Sequence, residues 1–78
     1  MNKIKVLMID DNVQLIEAVK EYFKSSKLIE IAVTANDGIE GIEKIEHENY
    51  DVIVLDLIMP KKDGLYVLEE MKKRNLSK

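Results

Sequence analysis

Two short apolar runs in this chain stop abruptly at carboxylates. Ile4-Lys5-Val6-Leu7-Met8-Ile9 runs into Asp10-Asp11-Asn12, and Val52-Ile53-Val54-Leu55 runs into Asp56. If the two runs are neighbouring strands, three carboxylates meet at one edge. Two unit charges about 4 Å apart repel by roughly 4 kcal/mol at an effective dielectric of about 20, so such a trio calls for a cation among its oxygens. An all-oxygen donor set selects Mg²⁺, Ca²⁺ or Mn²⁺ over zinc. Magnesium characteristically takes one or two carboxylates, keeps waters and completes its shell with phosphate oxygens. The chemistry indicated is phosphoryl transfer, with Asp56 as the nucleophile.

A single aspartate closing a strand is ordinarily a turn or helix cap, and Asp10-Asp11 before a helix could serve as a cap and macrodipole complement. It is the coincidence of acids at both strand ends that favours the functional reading. Asp51 is the control: it precedes Asp56 by five residues, roughly 17 Å along an extended strand, so it belongs to the opposite rim and caps there. Asp63 reads as a helix cap. The only histidine, His47, ends a helix on the far side from the acids and reads as solvated. Met8, Met59 and Met71 read as packing residues, and Lys72-Lys73-Arg74 as a solvated helix terminus. Gly38, Gly41 and Gly64 form no phosphate-cradling motif.

The elements that must carry these residues alternate in type. Ile4 to Ile9 fits a largely buried strand. Leu15, Ala18, Val19, Tyr22 and Phe23 then recur at helical spacing over roughly Asn12 to Lys24, which predicts an amphipathic helix with that stripe inward. Leu28 to Ala35 reads as a second strand. Asn36-Asp37-Gly38 is turn and cap chemistry opening a helix through Ile39, Ile42 and Ile45 to about His47. Within it, Gly41 suggests close backbone packing. Val52 to Leu55 is a third strand, and Asp63 caps a third helix whose inner face is expected to hold Leu65, Val67, Leu68 and Met71. This βαβαβα alternation predicts an α/β fold, a doubly wound parallel sheet with right-handed crossovers and helices on both faces. In one common strand order, 2-1-3, ligands gather at the carboxyl ends of the first and third strands, where Asp10, Asp11 and Asp56 lie.

With 78 residues the chain allows one small domain. A hydrophobic content of 46%, 35% charged residues and a net charge of −3 favour a soluble protein without a nucleic-acid or anionic-membrane surface in this segment. There are no cysteines, which excludes disulfides and thiolate metal sites. The first apolar run is interrupted by Asp10, too soon for a signal-peptide core or a membrane span. A cytoplasmic location and no membrane partner are expected.

Asp10-Asp11 after one apolar strand, and Asp56-Leu57-Ile58-Met59-Pro60-Lys61-Lys62-Asp63-Gly64 after another, resemble the receiver domain of bacterial two-component response regulators over the whole chain. The resemblance implies a flavodoxin-like, CheY-like fold in which Asp56 accepts a phosphoryl group from a histidine kinase or histidine phosphotransferase. It implies that Asp10, Asp11, Asp56 and the backbone carbonyl of Ile58 hold a divalent cation, Mg²⁺ or Ca²⁺, while Pro60 and Gly64 shape the loop beside the acceptor. Ile4-Lys5-Val6, Asp10-Asp11-Asn12, Glu21-Tyr22, Asn36-Asp37-Gly38 and Asp56-Leu57-Ile58-Met59-Pro60, with Asp63-Gly64-Leu65 and Val67-Leu68-Glu69, are together similar to the stage 0 sporulation regulators, transcription factors whose receiver precedes a DNA-binding domain. On that resemblance, residues 1–78 are expected to be a receiver incomplete at its C-terminus, lacking the later-strand Ser or Thr and Lys that read out the phosphate. A DNA-binding effector domain is expected downstream, with phosphorylation changing dimerisation and transcription activation or repression. The alternative is a stand-alone or relay receiver acting through protein partners. An aspartyl-nucleophile enzyme is disfavoured, because such enzymes usually carry a second acid two residues after the nucleophile, where this chain has Ile58. A phosphoacceptor and not an enzyme is therefore expected.

Overall fold

The computed structural model describes residues 2–56 and 64–75. Its elements follow the order β1 (Ile4–Ile9), α1 (Val13–Phe23), β2 (Ile29–Ala35), α2 (Gly38–His47), β3 (Val52–Leu55) and α3 (Gly64–Lys73). The three strands form one parallel sheet in the order β2-β1-β3. This is the expected βαβαβα arrangement, with β1 central because it pairs on both sides.

Short side-chain signals mark where α1 and α2 begin. Asn12 caps α1 by accepting the Leu15 N–H on Oδ1 at 3.0 Å, which satisfies a donor with no intrahelical partner. Asp37 caps α2 by accepting the Glu40 N–H at 2.8 Å, and Glu40 reaches back to accept the Asn36 N–H at 2.6 Å. That reciprocal pair is the capping-box logic one residue early. The expected cap Asp63 lies outside the described residues.

The main core lies on one face of the sheet. Leu7 and Ile9 of β1, Ala35 of β2, Ile42 and Ile45 of α2, Tyr50 and Val67 of α3 form one buried cluster, with Val33, Ile53, Leu55, Tyr66 and Met71 packed against it. Successive strand residues point to opposite faces, so Val6 and Met8, also buried, lie on the other face with Ile16 of α1. A register shift between Val6 and Leu7 takes β2 from Ile31 directly to Val33. Ala32 is thereby left over as a bulge, so Ile31 shares a face with Val6 while Val33 and Ala35 face the main core.

Two helix faces differ from expectation. On α1 the inward residues are Ile16, Val19 and Phe23, whereas Leu15 is 43% and Tyr22 82% exposed and Ala18 is also exposed. On α3, Val67 is fully buried and Met71 packs on the core, but Leu65 and Leu68 are 60% and 48% exposed. Each apolar stripe is wider than the surface it covers: neighbouring positions sit about 100° apart on a helix, so a broad stripe leaves its inward line open to several choices. Packing selected the line through Gly64, Val67 and Met71, with Glu70 turned toward α2. There Arg74 donates from Nε to Glu70 Oε1 at 3.0 Å and from Nη1 to Glu46, joining the ends of α2 and α3.

Candidate metal and phosphoacceptor site

Parallel pairing brings the two acidic strand ends together. The register pairs Ile9 with Ala35 on one side and with Leu55 on the other, so the next residues of β1 and β3 emerge side by side. Backbone bonds continue the ladder one step past the strands. The Asp10 N–H donates to the Ala35 carbonyl and the Asp56 N–H donates to the Ile9 carbonyl, each at 3.0 Å. Both acids thus hang from main chain held by a fully buried β1 end.

One carboxylate oxygen from each of Asp10, Asp11 and Asp56 lies within 4.8 Å of the others. Asp10 is buried at 8% exposure, Asp56 is half-buried and Asp11 is exposed. The Oδ1 of Asp10 accepts the Asn12 N–H at 2.8 Å, an Asx-type turn that fixes this carboxylate and leads straight into the cap of α1. One Asp10 oxygen is therefore committed to backbone. The donor set is oxygen only, anionic and graded from interior to solvent, which fits a hard divalent cation held on one side by protein and on the other by water.

All three acids singled out by spacing are brought together, and among the described residues they form the only group of three or more His, Cys, Asp or Glu side chains able to converge on an ion. Ile58, whose carbonyl the receiver resemblance adds, lies outside the described residues, as do Pro60 and Met59; Gly64 begins α3. His47 ends α2 and is exposed. Asp51 is on the opposite rim, as the strand length requires, where its Oδ2 accepts the Lys5 N–H at 2.8 Å and its own N–H donates to the Lys5 carbonyl at 2.7 Å. Sequence reasoning missed the supporting groups: the carbonyls of Ile9 and Ala35, and the turn through Asn12. The last had a readable signal, an aspartate two residues before a helix cap. The carbonyls had none, because they depend on register.

Comparison with known proteins agrees with this geometry. The profile of the response regulator receiver domain matches residues 6–78. The Probable C4-dicarboxylate response regulator DctR of Bacillus subtilis is 39% identical over 72 residues, 92% of this chain and 32% of DctR. Among solved structures, the receiver domain of the Francisella response regulator 1452 superposes with a TM-score of 0.81 at 36% identity, covering 95% of this chain and 60% of that one. The response regulator TrrA of Thermotoga maritima, solved in complex with Mg²⁺ and BeF, gives 0.76 at 34% identity over 91% of this chain and 60% of its own. The chain thus spans about a third of its curated relative and three-fifths of these solved chains. No described helix is long and apolar enough to cross a membrane. With its profile match, its strand order and its converging acids in agreement, the chain belongs to the response regulator receiver domain family.

Proposed function

We propose that this chain is the phosphoacceptor unit of a two-component response regulator, with Asp56 as the residue that takes the phosphoryl group. The observation that carries the reading is the convergence of Asp10, Asp11 and Asp56 oxygens within 4.8 Å at the carboxyl ends of adjacent strands. An Asp56 oxygen attacks the phosphorus of a histidine phosphodonor, the phosphorus–nitrogen bond breaks, and the imidazole, already protonated on its other ring nitrogen, leaves as the neutral ring with the bonding electron pair. Asp10 and Asp11, with Asp56 and the backbone carbonyl of Ile58, would hold the divalent cation. That cation would supply neutralisation of charge on the transferring group. The all-oxygen donor set supports a hard divalent cation, and the Mg²⁺ bound by the related TrrA supports Mg²⁺ over Ca²⁺.

The wider role follows the same logic. The match to a third of DctR supports a longer regulator in which this receiver governs a DNA-binding domain, and phosphorylation shifts it between two states that differ in dimerisation and transcription. The sporulation role suggested by short motifs gains no support from the relatives, the named one being a C4-dicarboxylate regulator; dicarboxylate-responsive control is the better supported of the two. The chain acts as an acceptor in the cytoplasm and not as a turnover enzyme. Incubation with acetyl phosphate and Mg²⁺ should add one phosphoryl group by mass, and Asp56→Asn should prevent it. Labelling that persists in the variant would refute the assignment.

A further inference from the structure

Helix α2 meets β1 at close range one residue before the buried acid. A Cβ placed on Gly41 would stand 2.8 Å from Ile9 Cδ1, 3.1 Å from Cγ2 and 3.3 Å from Cγ1. Nonbonded carbons settle at about 3.5–4.0 Å, so the helix meets the whole Ile9 side chain and not merely its tip. Cδ1 could rotate away, but the two branches on Cβ restrict χ1. Ile9 is also fully buried in a cluster with Leu7, Ala35, Ile42 and Val67, where close packing leaves no space for retreat. The helix is equally constrained, since Gly41 donates its N–H to the Asp37 carbonyl at 2.8 Å and the Asp37–Glu40 cap anchors the same turn.

Ile9 links this contact to the site in two ways. Its peptide bond leads directly into Asp10, and its carbonyl receives the Asp56 N–H at 3.0 Å. A displacement of Ile9 therefore moves the backbone supports of two of the three acids together. We propose that Gly41 is a positioning residue: its missing side chain lets Ile9 seat at the depth that holds Asp10 and Asp56 within reach of one cation. The inference rests on the cation-binding part of the function proposed above.

The test is a Mg²⁺ titration of the full chain followed by backbone amide NMR, on the parent, Gly41→Ala, Ile9→Val, the double variant and Ile45→Val. Gly41→Ala should shift the Asp10 and Asp56 amides before any Mg²⁺ is added and weaken Mg²⁺ affinity by about tenfold, the lower end of what groups supporting a metal ligand contribute. Ile9→Val deletes the nearest of the three clashing carbons and leaves those at 3.1 and 3.3 Å, so the double variant should regain part of the lost affinity and stay weaker than the parent. Ile45→Val, which trims the same core elsewhere, should leave affinity unchanged. A purely structural role predicts otherwise: the clash with Ile9 would lower stability while Mg²⁺ affinity of the folded protein held. Unchanged affinity in Gly41→Ala, or a double variant no better than the single, overturns the proposal. If Gly41→Ala does not fold, recovery of folding and affinity in the double variant supports it, and failure of both overturns it. If the parent itself does not respond to Mg²⁺, the cation reading fails, while the amide shifts in the absence of metal still decide whether Gly41 sets the acids' position.

Discussion

The two ends of this small sheet use aspartate in opposite ways. At the amino ends of the strands, Asp51 makes a reciprocal pair with the Lys5 main chain, beside an open polar depression of about 680 Å³ bordered by Lys3, Lys5 and Glu30. Charges of both signs are mixed there, and the carboxylate does the work of a missing ladder partner. At the carboxyl ends, Asp10, Asp11 and Asp56 bring like charges together, an arrangement whose mutual repulsion a bound cation would relieve. The same residue type at a strand end is thus a cap or a candidate cation ligand according to its neighbours. Parallel topology creates the asymmetry, because it sends every strand's carboxyl end to one rim.

Substitutions that exchange the behaviour of the two rims should separate them sharply. The largest contrast is in phosphoryl uptake: Asp56→Asn should abolish incorporation from acetyl phosphate, whereas Asp51→Asn should leave it intact, as read by intact-protein mass. Next is cation affinity. Asp10→Asn should weaken Mg²⁺ binding by about tenfold or more, since affinity follows the ligands' charge count; Asp51→Asn should not change it in the same calorimetric titration.

Stability without metal should move in opposite directions at the two rims. Asp51→Ala removes the acceptor of the Lys5 N–H and should cost about 1 kcal/mol. Asp11→Asn relieves repulsion at an exposed position and should stabilise by no more than about 1 kcal/mol, with the gain lost once Mg²⁺ is added. Urea unfolding with and without Mg²⁺ checks both signs. The smallest effect concerns Tyr50, beside the amino rim. Burial raises its phenol above the ordinary value of 10.0, so the folded state holds this proton more tightly than the unfolded chain does. Its contribution is intact below the unfolded value and is lost as pH rises through the folded one. Tyr50→Phe should therefore flatten the alkaline fall in thermal midpoint, leaving phosphorylation at Asp56 unaffected.

Much of this contrast was legible in the chain itself. The placement of Asp51 followed from strand rise alone, and the meeting of Asp10 with Asp56 followed from the strand order that βαβ alternation favours. The helix faces were less legible. Leu15, Tyr22, Leu65 and Leu68 satisfied helical periodicity yet are exposed, because periodicity marks a broad apolar arc and only a packed neighbour selects its centre. The alternation of Ile29, Ile31, Val33 and Ala35 along β2 is similarly incomplete. Read alone it describes one face; the bulge at Ala32 divides it between two.

Local chemistry by itself determined the element order, the helix starts at Asn12 and Asp37, and the acids that close β1 and β3. These depend on residues near one another along the chain, where caps, turns and apolar runs act within a few positions. Tertiary structure alone decided the register that hangs Asp10 from Ala35 and Asp56 from Ile9. It also decided the approach of Gly41 to Ile9 and the Arg74 link between α2 and α3. Each of these joins residues distant in sequence, and their spacing in the chain carries no information about how closely two packed elements will meet.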